Sequence, residues 1–331
     1  MSGVHDVGTS PLGTALPGGP QHTEEPLAER RNGANPAATT IDAPPVLAAE
    51  GVTFTYPDGT VALRDLSLAL PKGRRIALLG ANGCGKTTLF LHFNGILQPT
   101  AGTIALSGEP IGYDRHALRE LRRRVGLVFQ DPDSQLFAAN VRQDISFGPL
   151  NLGWSEEQVR DKVEQVISDT DLTDLADRPT HLLSYGQKKR VAIAGVLVME
   201  PEVVIADEPT AGLDPEMTTR VLDLLDTLHR TGRSIVISTH DVELALAWAD
   251  HVIVLRQGRL LAEGRPDVVL ADEPLLRGAR LLQPIVVSAY RQLRAEGLLP
   301  PSAAVPRTAA DLTALLAQHT TPRVTDTDRA I

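Results

Sequence analysis

Three short stretches carry residue types whose spacing suits phosphate chemistry. G-A-N-G-C-G-K-T, Gly80 to Thr87, matches the pattern G-x-x-x-x-G-K-[ST], with an apolar run before it and a helical run after it. Gly80, Gly83 and Gly85, with Ala81, Asn82 and Cys84 between them, allow successive backbone N–H groups to turn inward on an anion, and a helix N-terminus adds its positive dipole. Lys86 can reach the terminal phosphate oxygens, Thr87 offers a hydroxyl to a divalent cation, and Thr88 continues the nucleotide-facing run. Cys84 is expected to point away from the ligand and has no redox role. V-V-I-A-D-E, Val203 to Glu208, is an apolar strand ending in paired carboxylates. Asp207 is placed to hold magnesium, directly or through water, and Glu208 to accept a proton from an attacking water. The third stretch is L-S-Y-G-Q, Leu183 to Gln187, in which a serine and a glycine flank the bulky Tyr185.

The elements that must position these residues are legible around them. V-T-F-T-Y and A-L-R-D-L-S-L-A-L read as antiparallel strands, and R-I-A-L-L-G as a buried strand feeding the glycine turn. The segment from about 139 to 199 reads as a helical subdomain, with S-E-E-Q at Ser155 to Gln158 fitting a capping box. V-V-I-A-D-E and S-I-V-I-S-T-H are β-branched runs separated by a helix that Asp214 caps and Pro215 opens, an alternation that predicts a parallel sheet. A hairpin is expected around Gln257-Gly258. The last sixty or so residues read as helical and carry no nameable chemistry.

Residues 1–44 lack aromatic residues and periodicity, the composition of a disordered extension. The expected organisation is that extension, an α/β domain over 45–280, and a C-terminal extension over 281–331. Lys and Arg total 32 against 41 Asp and Glu, a net charge of -9 that gives no broad basic footprint for nucleic acid or anionic lipid. The single cysteine, Cys84, cannot form an internal disulfide, and no charged-then-apolar leader is apparent, so a reducing cytoplasm is the expected compartment. The longest apolar run, Val191 to Met199, is far shorter than the roughly 20 residues of a spanning helix.

With L-S-Y-G-Q lying between the phosphate loop and the acidic strand, the chain resembles the ATP-binding cassette (ABC) ATPases from about Val46 to Gly264. The resemblance implies a P-loop NTPase fold: a mixed parallel-sheet core, an antiparallel β subdomain and a helical subdomain. It implies ATP and Mg²⁺ as ligands, with Tyr56 stacking on adenine, Gln130 in L-V-F-Q-D-P sensing Mg²⁺ and the attacking water, and His240 in S-T-H contacting the γ-phosphate. Thr87, Gln130 and Asp207 would serve the magnesium ion. Ser184, Gly186 and Gln187, together with Asp214 in A-G-L-D, would act on the nucleotide of a second ATPase subunit, either an identical copy or a paralogue. One copy of each motif therefore implies a dimer.

The stretches L-H-F-N-G-I-L-Q-P-T, Q-D-P-D-S-Q-L-F, F-G-P-L-N-L-G and G-Q-K-K-R-V-A-I-A-G resemble the energy-coupling-factor importers, particularly the cobalt and nickel branch. That resemblance implies a peripheral protein on the cytoplasmic face of the membrane. Its expected partners are a polytopic membrane transport component and a substrate-binding membrane component, with no nucleic acid. The alternatives are an ATPase of a vitamin importer and a soluble ABC ATPase acting on ribosomes or DNA. A regulator that binds nucleotide without hydrolysing it is a third. The nine histidines are scattered, as expected if the membrane components handle the metal. The basic clusters Leu118 to Arg124 and Lys188 to Arg190 read as solvated helix faces.

Overall fold

The computed structural model describes residues 45–319; the expectation for residues 1–44 lies outside them. In chain order, β1 (Pro45–Thr55), β2 (Val61–Pro71) and β3 (Arg75–Leu79) precede α1 (Lys86–Phe93). They are followed by β4 (Ala101–Leu106), β5 (Glu109–Pro110), α2 (Arg115–Arg124) and β6 (Val125–Val128). Helices α3 (Val141–Asn151), α4 (Glu156–Asp169) and α5 (Tyr185–Leu197) then lead to β7 (Val203–Ala206), α6 (Pro215–Arg230), β8 (Ser234–Thr239) and α7 (Val242–Trp248). The hairpin β9 (His251–Arg256) and β10 (Arg259–Gly264) is followed by α8 (Pro266–Val269), α9 (Glu273–Gly278), α10 (Ile285–Ala295) and α11 (Ala309–His319).

Two sheets form. The antiparallel one runs β2-β1-β4-β5, and the mixed one β10-β9-β3-β8-β7-β6, in which only β10 is antiparallel to its neighbour. Alternation along β3 sends Ala77 and Leu79 into one core and Ile76 and Leu78 into the other. The first core is lined by α3, α4 and α5; the second by β1, β2 and Leu89, Phe90 and Phe93 of α1. Coverage of both faces explains why the central strands read as unbroken apolar runs. Leu281, Val286 and Val287 belong to the first core, so the described segment after residue 280 shares that core.

The helix ends follow their sequence signals. Ser155 and Gln158 form the reciprocal capping box of α4, and Asp214 accepts from Met217 N at 2.8 Å, with Pro215 opening α6. The β9–β10 turn places Gln257 at φ 50° and Gly258 at φ 76°, the two positive dihedrals of a type I′ hairpin.

An ion pair pins the start of β3 beside β9. Arg75 N donates to Asp250 Oδ2 at 3.0 Å and its guanidinium to Oδ1 at 2.9 Å, while Asp226 accepts from both Arg75 and Trp248 Nε1. Burial pulls the Asp250 carboxyl upward, but the Arg75 hydrogen bonds and charge outweigh it and hold the group below its ordinary value of 3.8. A depressed folded value means that the stabilisation is present above pH 4 or so and is lost as the pH falls through the folded value. Asp250→Asn should therefore cost about 2 kcal/mol near neutrality. Denaturant melts should show the gap from wild type narrowing in acid.

Candidate functional site

Four neighbouring strands, β3, β8, β7 and β6, are parallel, so their carboxyl ends share one edge of the sheet. That edge is where open α/β sheets bind ligands. The glycine loop leaves β3, His240 follows β8, Asp207 and Glu208 follow β7, and Gln130 lies two residues beyond β6. A cavity of about 450 Å³ opens there, lined by Asn82, Gly83, Gly85, Lys86, Thr87, Thr88, Gln130, Asp207, Glu208 and His240, with Tyr56 and residues 60–62 as a further wall. Residues from five separate stretches thus converge. Gly80, Ala81 and Cys84 lie outside this lining and serve the loop's shape.

The loop's glycines are dictated by its path. Gly80 has φ 154°, and a Cβ there would sit 2.5 Å from both Cys84 Sγ and Leu255 O. Gly85 has φ 109° and would bring a Cβ within 2.9 Å of Ala62 O. Cys84 is buried in the core beside β1 and β2, as a residue turned away from the cavity must be, and burial raises its thiol pKa.

Two carboxylates and two ammonium groups are buried together at this edge: Asp207, Glu208, Lys86 and Lys189. Lys86 Nζ donates to Gly80 O at 2.8 Å and lies 3.8 Å from Glu208 Oε1. Glu208 Oε2 accepts from His240 Nδ1 at 3.1 Å; the imidazole is largely exposed and its other nitrogen is free of that bond. Thr87 Oγ1 donates to Asp207 Oδ2 at 2.6 Å. A hydroxyl facing a carboxylate, with Gln130 on the same cavity wall, is a hard-oxygen set of the kind Mg²⁺ prefers, so these residues fit that ion. The Tyr56 hydroxyl is 3.0 Å from Thr88 Oγ1 and its ring meets Phe54 edge-on at 4.9 Å, which fixes it as a wall of the cavity.

Two supporting residues escaped the sequence reading. Ser238 is fully buried; its hydroxyl donates to Asp207 Oδ1 and accepts from Glu208 N at 2.8 Å. A serine directly after the apolar run Ile235 to Ile237 was the available signal, because a buried hydroxyl needs partners. The reading of Lys188 to Arg190 as a solvated face is corrected by burial. Lys189 has no exposed surface, Lys188 pairs with Asp133 at 2.6 Å, and Arg190 donates to Asp171 O at 2.7 Å. Positions 189, 192, 193, 196 and 197 are all buried, so the lysine lies on the apolar stripe of α5. Burial pulls its pKa down to about 8.

Ser184, Gly186, Gln187 and Asp214 lie outside the cavity lining. Ser184 caps α5 and shares a capping box with Gln187, and a Cβ on Gly186 would come within 3.2 Å of Met217. Tyr185 occupies the first helical position and is absent from the positive-φ residues, so no glycine is needed there. Its ring lies along Gly212 and its hydroxyl donates to Gln130 O at 3.3 Å. Tyr185→Gly should leave ATP turnover within a few-fold of wild type in a steady-state assay; a large gain would show that the tyrosine impairs the clamp.

Comparison with known proteins places these motifs in a family. Residues 63–211 match the ABC transporter model. A cobalt import ATP-binding protein, CbiO of Rhodobacter capsulatus, is 51% identical over 83% of this chain and 99% of its own length. An energy-coupling factor transporter ATP-binding protein of Methanocaldococcus jannaschii is 48% identical over 75% of this chain and 88% of its own. Among solved structures, a CbiO from Clostridium perfringens, described as part of an ABC transporter complex, aligns with a TM-score of 0.64 at 44% identity, covering 75% of this chain and 99% of that one. A dimeric ATP-binding cassette in a post-hydrolysis state, bound to ADP and Pi, aligns with a TM-score of 0.61 at 25% identity, over 66% and 98%. With its phosphate loop, paired carboxylates and histidine gathered at one sheet edge, the chain belongs to the ABC transporter family, as an ATP-hydrolysing cassette of the energy-coupling-factor and CbiO type.

Proposed function

We propose that this cassette drives uptake of a transition-metal ion, cobalt or nickel, from the cytoplasmic face of the membrane. The observation that carries the importer reading is the match to the Rhodobacter cobalt import protein along 99% of that protein's length. In the proposed cycle ATP lies on the glycine loop with its adenine against Tyr56, and Lys86 binds the β and γ oxygens. Thr87, Asp207 and Gln130 would hold Mg²⁺, which supplies charge neutralisation on the phosphates. Glu208 polarises the water for in-line attack on the γ-phosphorus, while His240, anchored through Nδ1 to Glu208, turns Nε2 toward the γ-phosphate. Ser184, Gly186, Gln187 and Asp214 belong to the nucleotide of the second ATPase subunit, identical or paralogous. That arrangement agrees with their position away from this chain's own cavity.

None of the described helices is long and apolar enough to cross a membrane. An edge-to-face pair, Phe137 with Phe147 at 4.4 Å, is exposed beside the equally exposed Leu150 just after the Gln130 loop. This apolar patch suits a polytopic membrane component, with a substrate-binding membrane component completing the importer. The second reading is a vitamin importer, since the energy-coupling-factor relatives are named without a substrate. Uptake of labelled cobalt, nickel and vitamins, by cells expressing the chain with its membrane partners, tests both. Metal uptake that depends on Glu208 is the expected result. Vitamin uptake without metal uptake supports the second reading, and recovery of the chain with ribosomes or DNA in place of membranes overturns both.

A further inference from the structure

Helix α5 is fastened to the loop carrying Gln130 at several points. Gln135 Oε1 accepts from Phe129 N at 3.0 Å while its Nε2 donates to Ala192 O at 3.1 Å. Lys188 pairs with Asp133 at the surface. The buried link is Lys189, whose ammonium donates to Gln130 O at 2.5 Å and Glu208 O at 3.2 Å and lies 5.9 Å from the centre of the Tyr185 ring. Tyr185 adds its own hydroxyl to Gln130 O. One side chain of α5 therefore holds the main chain of two residues assigned to the chemistry.

The Glu208 backbone needs such a hold. Its φ is 45°, a left-handed conformation that is uncommon for a residue with a Cβ and persists when the surroundings over-determine it. Ser238 fixes its N–H, while its carbonyl accepts from Ala211 N at 3.1 Å and from Lys189. Rotation of this peptide would swing the carboxylate away from Lys86 and His240. An ammonium with no exposed surface is a costly way to pack a helix, and an apolar residue on the same stripe would pack without that cost. Packing alone thus gives no reason for a lysine here.

We propose that Lys189 is a positioning residue, tying the N-terminal half of helix α5, which Ser184 caps, to the backbones of Gln130 and Glu208 in the same chain. The consequence rests on the proposed function. When Ser184 engages the nucleotide of the second subunit, movement of α5 is carried through Lys189 to this chain's own Gln130 and Glu208. Each cavity then becomes competent only when the neighbouring one is clamped.

The test uses the full chain assembled with its membrane partners, with steady-state ATP turnover measured beside equilibrium ATP binding. Lys189→Met should lower kcat at least tenfold and leave the KM and Kd for ATP within threefold. Lys189→Arg, whose guanidinium can donate to both carbonyls, should recover kcat to within threefold of wild type. Lys188→Met, which removes only the ion pair to the exposed Asp133, should stay within twofold. Turnover of Lys189→Met within twofold of wild type overturns the proposal. So does a loss shared by Lys189→Arg and matched by weaker ATP binding, since that marks a packing defect. Hydrogen exchange on the wild-type complex gives a check that does not need the variants to fold. Residues 129–135 and 207–212 should gain protection together on ATP addition, and protection of only one segment overturns the link. A complex that hydrolyses ATP but imports no metal overturns the transport reading while leaving the lysine test intact.

Discussion

Glu208→Gln is expected to lower ATP turnover by about a thousandfold, within the range for loss of a general base, while leaving ATP binding close to wild type. The side chain is 8% exposed and flanked by Lys86 and His240, so it is desolvated and oriented before any nucleotide arrives. Glutamine keeps the shape, with its amide oxygen toward Lys86 and its NH2 able to donate to Nδ1 of the other His240 tautomer. What it loses is the ability to take a proton from water. Single-turnover hydrolysis, with nucleotide binding measured separately, checks the prediction: a nucleotide-loaded chain that fails to convert ATP to ADP is expected. Turnover within tenfold of wild type would remove Glu208 from the catalytic role.

The loop and acidic residues of the cavity lining were legible in the sequence because local patterns specify them. The loop from Gly80 to Thr87 is set by glycine conformations and a strand-to-helix context, and Asp207 and Glu208 by ending an apolar run. His240 and Gln130 needed the order of the motifs, since a lone residue at a strand end carries little information. Ser238 and Lys189 were missed for a different reason. Their roles exist only after β6, β7 and β8 lie side by side and α5 packs across the Gln130 loop, contacts that span 19 to 59 residues of sequence for Lys189. Charge alone made Lys189 look solvated; its place on the stripe with Ala192, Ile193, Val196 and Leu197 pointed the other way. Tyr185 illustrates a related limit. Its bulk stands out in the sequence, but only its place at the first helical position shows that an ordinary backbone suffices there.

Lys86→Met should remove ATP binding and not merely slow hydrolysis, lowering affinity at least a hundredfold. Hydrogen bonds to charged groups contribute about 1.5–3 kcal/mol each, and the ammonium is assigned two such partners on the β and γ phosphates. Methionine matches the length and volume of the lysine stem, so the loss is one of charge more than of packing. The same substitution frees Gly80 O and takes the nearby cation from the buried Glu208 carboxylate, leaving His240 as its remaining side-chain neighbour. The ligand-free chain should consequently melt lower, by about 1–3 kcal/mol of stability. Calorimetric titration of ATP beside thermal melts separates the two effects. Lys86→Met is expected to lose both affinity and stability, whereas Glu208→Gln keeps affinity and loses turnover. If Lys86→Met bound ATP as wild type does, the phosphates would have to be held by the loop's backbone N–H groups alone, and the lysine would serve the carboxylate and not the nucleotide. The opposite phenotypes expected for two residues 3.8 Å apart make that pair the sharpest division of binding from chemistry in the cavity.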